Sequence, residues 1–288
     1  MKSTTPIVCL LLLLTPLVAN AYQVYPSTGH MCKEQLLDLE SYQYVREHAD
    51  GMWLMPWNIR SDYLTQAEWA QVIGGFKSSK MVAEINDTHM NWDSPNPHPK
   101  QLIAALDAGA EVHTVMAYNE GVNGSVLTQE NIDHFKSVYG GKHKIVSNVR
   151  RWTSEAPFVF EQLDGICFEF QIPEKFPGLW DQVVEGILWA DKNNKVTYLL
   201  TPPGHNDYHL NRAYIKAYQK FFAYLREKVG DEILKKDTLI FCPSNYSIHK
   251  TDVQMTPEVE EVNGKVLPAN TAMGAAYWLL QQPLYLEK

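Results

Sequence analysis

Three glutamates lie in or directly after apolar segments: Glu84 in KMVAEIN, Glu120 after VHTVMAYN and Glu169 in DGICFEFQ. A charged side chain in an apolar segment is costly unless it is paired, protonated or facing a wet cavity. Two such carboxylates can serve as a general acid and as a base or nucleophile. We therefore consider all three as candidate catalytic residues, with Glu169 as the central one.

Apolar, strand-like segments alternate with amphipathic segments along the whole chain. The predicted strands are 22–26, 51–57, 80–86, 112–119, 144–149, 165–171, 195–201 and 238–243. The predicted helices are 33–47, 65–76, 99–108, 128–138, 154–162, 177–191, 207–229 and 270–281. Eight strands that are each followed by a helix predict an α/β fold, a (β/α)8 TIM-type barrel, as a single domain over residues 22–288. A doubly wound open sheet is the alternative, although no early strand is followed by a glycine-rich turn.

The first predicted strand is the weakest because it is short. Without it, the barrel would be incomplete or closed by residues 252–262. The boundaries of several predicted helices are marked by capping residues and glycines. Thr65 and Glu68 fit a capping box, and the glycines of DAGAEV and KVGDEI follow helix ends.

The C-terminal strand ends and the loops after them form the active site of such a barrel. The predicted ends are polar and aromatic, whereas the strand interiors are apolar. The candidate substrate-binding residues are Trp57, Asn58, Asn86, Tyr118, Asn119, Asn148, Arg150, Gln171, His205 and Asn245. Trp92, Trp152 and Tyr246 are further aromatic candidates for stacking on sugar faces, with core packing as the alternative for each.

The direction of Glu169 follows from the alternation of side chains along a strand. Cys167, Glu169 and Gln171 share one face, and the bulkier Ile166 and Phe168 share the other. The bulky face suits packing against helices, so we expect Glu169 to point towards the barrel axis. The alternative is a structural ion pair with an arginine or lysine inside the barrel.

The segment DGICFEFQ at 164–171 resembles the D-G-x-D-x-D-x-E strand of glycoside hydrolase family 18, the chitinase-like barrels. Asp164 and Glu169 occupy acidic positions of that pattern, but Cys167 replaces an aspartate. Gln171 stands where that family keeps its catalytic acid, and our strand is sixth in order instead of fourth. The resemblance therefore implies a (β/α)8 barrel strand with a polar interior, without chitinase chemistry and without a specific family.

A second resemblance concerns Asn119 and Glu120 at the end of the fourth predicted strand. Many retaining glycosidase barrels end strand four with Asn-Glu, whose glutamate is the general acid/base. The partner glutamate at the end of strand seven is absent from YLLTPPG. A turn at Asn119, before Gly121, is the alternative interpretation.

The charge pattern limits the classes of partner. The chain has 25 basic and 33 acidic side chains, for a net charge of −8, which disfavours nucleic acid and anionic membranes. Arg150 and Arg151 suggest an anionic group in the substrate, or they pair with Glu120 and Glu169. His205 and His209 have metal-like spacing, but no H-E-x-x-H motif accompanies them, so we predict neither a metal nor another cofactor.

The first 21 residues have the features of a secretory signal peptide. Lys2 precedes an apolar stretch, and Ala19-Asn20-Ala21 fits a signal-peptidase site with cleavage after Ala21. The apolar stretch is short for a membrane span, and no later segment is longer. We therefore expect a secreted or periplasmic protein without membrane insertion.

Together these patterns favour a secreted hydrolase that cleaves glycosidic bonds in a polysaccharide or glycoconjugate by paired carboxylates, Glu169 with Glu120 or Glu84. One alternative is a polysaccharide lyase or phosphodiesterase, in which His89 or His205 moves protons and an arginine neutralises the anionic substrate. The other is a non-catalytic carbohydrate-binding barrel, which Gln171 in place of an acid favours.

Overall fold

The protein forms a parallel β-barrel surrounded by helices, as seen in a computed structural model. The structure describes residues 22–27, 33–40, 42–54, 64–78, 80–86, 100–118, 127–149, 152, 156–169, 178–201, 211–244, 259–262, 265–268 and 272–281. The barrel strands are β1 (Gln23–Val24), β2 (Met52–Leu54), β3 (Lys80–Asn86), β4 (Glu111–Tyr118), β5 (Lys144–Val149), β6 (Gly165–Glu169), β7 (Val196–Thr201) and β8 (Leu239–Pro243).

These eight strands form one sheet in the order β1-β8-β7-β6-β5-β4-β3-β2, and all neighbouring pairs are parallel. The sheet closes through a parallel bridge between Ser27 and Trp53. At this bridge the Trp53 amide donates to the Pro26 carbonyl over 3.1 Å. The predicted (β/α)8 TIM-type barrel is therefore confirmed, and its short first strand does form.

The helices lie between the strands, and most of them match the predicted positions. They are α1 (Lys33–Leu37), α2 (Gln43–His48), α3 (Gln66–Gly75), α4 (Lys100–Asp107), α5 (Gln129–Tyr139), α6 (Ala156–Glu161), α7 (Leu179–Lys192), α8 (Asn211–Val229), α9 (Asp231–Leu234) and α10 (Ala272–Leu280). Thr65 begins α3 with the expected capping box, and Thr128 begins α5 with a second one. Gly230 separates α8 from α9 with φ of 87°, a conformation that favours glycine.

The single helix predicted over 33–47 is wrong, because the chain forms α1 and α2 with a break between them. The Nε–H of Arg46 donates to the Leu39 carbonyl over 3.0 Å, and its Nη1 donates to the Gly75 carbonyl over 3.0 Å. The Tyr42 hydroxyl donates to the Leu36 carbonyl. The Leu36 and Leu39 carbonyls are ones that a continuous helix would have paired internally, so these contacts stabilise the break, and the contact with Gly75 ties α2 to the end of α3.

Two separate apolar clusters show which way the strand residues point. The outer cluster joins the helices to strand residues such as Ile166 and Phe168. The inner cluster fills the barrel, and it consists of Tyr25, Trp53, Val82, Met116, Val146, Cys167, Val196, Tyr198, Leu200, Ile240 and Cys242. The predicted alternation in β6 is confirmed, because Cys167 faces the barrel interior while its neighbours pack against helices.

After β8 the chain forms a two-stranded antiparallel ribbon, β9 (Val259–Val262) and β10 (Lys265–Pro268). Barrel closure therefore involves β1 and not residues 252–262. Within the described part of the chain, no helix has the length and apolar character needed to cross a membrane.

Candidate functional site

Three of the predicted site residues have described side chains, and all three are buried at the C-terminal half of barrel strands. They are Glu84 in β3, Asn148 in β5 and Glu169 in β6. Asn86 and Tyr118 end β3 and β4, with only their backbone described. The other predicted residues lie outside the described part of the chain: Trp57, Asn58, Asn119, Glu120, Arg150, Gln171, His205 and Asn245.

Glu84 points into the barrel and is hydrogen-bonded there. It stands two residues after Val82, which belongs to the inner cluster, and its side chain is 1% exposed. The Trp53 indole Nε1–H donates to its Oε2 over 2.9 Å. A donor held against a carboxylate stabilises the ionised form, so this contact suits a carboxylate that acts as a base or nucleophile.

Glu169 also faces the barrel interior, at the last position of β6. It stands two residues after Cys167 on the same face, pairs in register with Leu200 of β7 and is 9% exposed. This position at the C-terminal end of a barrel strand is where catalytic residues of this fold occur. The expected inward direction of Glu169 therefore agrees with the structure.

Glu84 and Glu169 both point into the barrel interior from the C-terminal halves of their strands. Each follows a member of the inner cluster by two residues, Val82 in β3 and Cys167 in β6. Burial raises the pKa of Cys167 well above its usual value, and the negative charges of the two glutamates raise it further. The strands β3 and β6 thus each contribute one carboxylate to the barrel interior.

Asn148 completes this group with an amide that is available for a ligand. It lies opposite Cys167 in the β5–β6 register and is fully buried. Neither its Nδ2 nor its Oδ1 has a hydrogen-bond partner among the residues that the structure describes. A buried amide without partners costs about 1–3 kcal/mol, and it offers two donor hydrogens and one acceptor to hydroxyl groups.

The two buried cysteines of the barrel interior are protonated thiols. Burial raises the pKa of both Cys167 and Cys242 well above the usual range, and both are free. They line the floor below the two glutamates as apolar groups and lack the thiolate form that nucleophilic catalysis requires. Among the described residues, no group of three or more metal-ligating side chains occurs.

Trp152 lies outside the barrel interior, so the structure does not support its predicted role in sugar stacking. Its ring contacts Phe160, Phe168 and Trp189 at centroid distances of 5.9, 6.1 and 5.4 Å. Phe168 belongs to the outer face of β6. Trp152 therefore packs in the layer between the barrel and its helices.

Trp53 is the site residue that the sequence analysis missed. It lies in β2, fully buried, and its ring also contacts Tyr198 edge-on at 5.5 Å. Its inward direction was available from the alternation of MWL, in which Met52 and Leu54 join the outer cluster. Its contact with Glu84 depends on the β2–β3 register, which a sequence pattern does not give.

The sequence matches no family model and no curated protein. Among solved structures, the chain is similar to the GH99 endo-alpha-mannosidase from Bacteroides thetaiotaomicron, with 13% identity, a TM-score of 0.51 and coverage of 91% of this chain and 84% of that chain. A GH128 endo-beta-1,3-glucanase from Amycolatopsis mediterranei in complex with laminaritriose gives 13% identity, a TM-score of 0.46 and coverage of 88% and 99%. These structural neighbours are glycoside hydrolases, and at such identity the likeness to the mannosidase shows the TIM-type fold alone.

Proposed function

We propose that the protein is a glycoside hydrolase that cleaves a polysaccharide or glycoconjugate with Glu84 and Glu169 as its carboxylate pair. The observation that carries this proposal is that two buried carboxylates, one in β3 and one in β6, face the barrel interior together with the Asn148 amide of β5. Glycosidic cleavage needs one carboxyl group to protonate the leaving oxygen and a second to attack the sugar or to activate water.

The environments of the two glutamates differ, and this difference assigns their roles. Glu84 is fixed by the Trp53 indole, which favours its ionised form, so Glu84 is the base or nucleophile. Glu169 stands at the last position of β6, and we assign it the remaining role, that of general acid. Asn148 binds sugar hydroxyl groups and orients the ring between the two carboxylates.

Glu120 remains a third candidate, outside the described residues. In barrels that have an Asn-Glu dipeptide at the end of strand four, the second catalytic glutamate stands at the end of strand seven. Here β7 ends at the buried Thr201, which is not a carboxylate. This difference favours the pair of Glu84 and Glu169 over a pair that includes Glu120.

The cellular setting is a proposal that rests on residues 1–21. A cleaved signal peptide would place the barrel outside the cytoplasm, where polysaccharides and glycoconjugates are accessible. N-terminal sequencing of the protein purified from its native export route tests this directly, and we expect it to begin at Tyr22.

Product release from neutral and acidic polysaccharides tests the activity. We expect new reducing ends from the wild type and about a hundredfold or greater loss in Glu84→Gln and in Glu169→Gln, because each variant removes one proton-transferring or attacking group. Glu185→Gln, an exposed site on α7, is the matched control and should retain full activity.

The same assay separates the alternatives. Products that absorb ultraviolet light would instead identify a lyase. Saccharide binding without any release of products, by a folded wild type, would identify a non-catalytic carbohydrate-binding barrel and would refute the hydrolase.

A further inference from the structure

A cavity of about 650 Å³ lies at the opposite end of the barrel from Glu84 and Glu169. Its walls come from the N-terminal ends of strands and the segments that precede them, including Lys80 at the start of β3 and Lys144 at the start of β5. Its apolar floor is the lower part of the inner cluster, with Tyr198, Val196 and Ile240. None of these residues takes part in the proposed hydrolysis.

Tyr25 contributes its ring and its hydroxyl group to the lining of this cavity. Its side chain is 4% exposed, and its ring is held by His113 at 5.8 Å and Tyr198 at 6.4 Å. A Cβ atom at Gly51 would lie only 2.5 Å from its Cε2, so the glycine is needed for this packing. Burial raises the pKa of Tyr25, which keeps its hydroxyl group a neutral donor.

The charged side chains of the cavity are sorted by sign onto two walls. The wall formed by the segment before β3 and by β3 to β5 carries Lys77, Lys80, Lys144 and one acid, Glu111. The wall formed by the segments before β2 and β8 carries Asp50 and Asp237. Among the described residues, these lysines and aspartates form no ion pair within 4 Å, and Lys77 and Lys80 act on Asp50 only from a longer distance, where they oppose the rise in its pKa.

Asp50 and His113 lie deepest on these two walls. One oxygen of Asp50 accepts from the Val24 amide over 3.0 Å, and burial raises the pKa of this carboxyl group. The His113 Nδ1 lies 2.8 Å from the Met81 carbonyl, so this nitrogen donates and the Nε2 is left as an acceptor. Burial lowers the pKa of His113, so this ring is neutral at about pH 7.

We propose that this N-terminal cavity binds a small zwitterion, a molecule with one ammonium group and one carboxylate or phosphate group. The lysine wall binds the anionic group, Asp50 and Asp237 bind the ammonium group, and the Tyr25 hydroxyl donates a hydrogen bond to the ligand. Two opposite charges on one ligand match the two walls, whereas an anion or a cation alone would satisfy one wall and leave the other unpaired.

Calorimetric titration of the purified chain tests the ligand class. The zwitterionic probes are glycine and glucosamine 6-phosphate, and the controls with charge of one sign only are acetate, inorganic phosphate and methylammonium. We expect at least one zwitterion to bind about tenfold or more tightly than these controls, because each added charge-assisted contact contributes to affinity. The proposal is overturned if no zwitterion binds, or if these controls bind equally well.

Substitutions of the lining residues test whether the zwitterion binds in this N-terminal cavity. We expect Tyr25→Phe, Lys80→Gln and Asp50→Asn each to weaken zwitterion binding about tenfold. Tyr25→Phe should keep the melting temperature close to that of the wild type, since the packed ring is retained, so weaker binding would not reflect unfolding. Lys192→Gln, on the exposed end of α7, is the control.

Glu84→Gln should also bind the probes like the wild type, because it lies at the other end of the barrel. Wild-type affinity in Tyr25→Phe and Lys80→Gln would show that the probe binds elsewhere and would overturn the proposal. A failure of the hydrolase proposal would instead appear as a wild type that releases no product while it still binds the probe in this cavity.

Discussion

The Trp53 indole donates a 2.9 Å hydrogen bond to Oε2 of Glu84, with both side chains buried in the barrel interior. The two residues are on neighbouring strands, β2 and β3, and Trp53 also belongs to the bridge that closes the barrel. Barrel closure and carboxylate position therefore depend on the same residue, the first through its backbone amide and the second through its indole. We regard Trp53 as a positioning residue, which acts on the substrate through Glu84.

Replacing Trp53 with phenylalanine should separate this positioning role from general packing. Trp53→Phe removes the donor and leaves a buried carboxylate oxygen without it, which should lower the free energy of unfolding by about 1–3 kcal/mol. The acid limb of the pH–rate profile should move to higher pH, because the ionised carboxylate has lost a stabilising donor. Measurements of kcat and of the free energy of unfolding across pH check both effects.

A purely structural role for Trp53 would leave the position of that acid limb unchanged. Met52→Leu is the matched control on the same strand, because Met52 faces the outer cluster. It should alter stability slightly without moving the pH–rate profile.

Asn148 should show a trade-off between stability and activity. Asn148→Leu removes a buried amide that has no hydrogen-bond partner among the described residues, so we expect the free energy of unfolding to rise by about 1–2 kcal/mol. The same change should raise KM about tenfold or more, because hydrogen bonds to sugar hydroxyl groups are lost.

The adjacent Ser147→Ala is the control for Asn148→Leu. The Ser147 hydroxyl donates to the Ala117 carbonyl over 3.1 Å, so its loss should lower stability and leave KM unchanged. Chemical denaturation and steady-state kinetics measure both variants. A destabilised Asn148→Leu with normal KM would contradict a ligand-binding role for this amide.

The start of α3 should make the protein sensitive to acid. The ammonium group of Lys33 and the amide of Thr65 donate to Glu68 and lower its pKa from 4.5 to about 2. Because the folded pKa lies below the unfolded one, this stabilisation is complete above about pH 4.5 and is lost as the pH falls towards about 2.

Glu68→Gln keeps the capping-box geometry and removes only the charge. Urea unfolding should show a variant that is less stable than the wild type at about pH 7, with a difference that shrinks steadily in acid. Glu185→Gln should show no such trend. A difference that stays constant down to about pH 2 would argue against the ion pair as the cause.

Cys167 and Cys242 should resist alkylation in the folded protein. Both thiols are buried and protonated, and alkylation requires an accessible thiolate. With iodoacetamide at about pH 8, peptide mapping should find both cysteines unlabelled in the native protein and labelled in denaturant. Rapid native labelling of either would contradict the closed floor of the site.

The barrel could be predicted from the sequence because each strand of such a fold is a short apolar segment whose neighbours along the chain are helical. The inward direction of Glu169 could also be predicted, since the alternation of side-chain direction along one strand is a local property. The pairing of Glu84 with Trp53, by contrast, depends on the register between two strands that are 31 residues apart in sequence. Local patterns hold no information about that register.

The break between α1 and α2 escaped prediction for a similar reason. The amphipathic pattern over 33–47 is continuous, and the contacts of Arg46 with Leu39 and Gly75 override it. The N-terminal cavity also could not be foreseen. Its lining residues belong to seven separate segments, which meet only when the barrel closes.

The central claim is that Glu84 and Glu169 act as one catalytic pair, and a double-mutant cycle on turnover tests it most directly. The rates of the wild type, Glu84→Gln, Glu169→Gln and the double variant are compared on the best polysaccharide substrate. We predict that the double variant loses no more activity than the more damaged single variant, because either loss already disables the pair. Losses that multiply in the double variant would show two independent contributions and would contradict the claim.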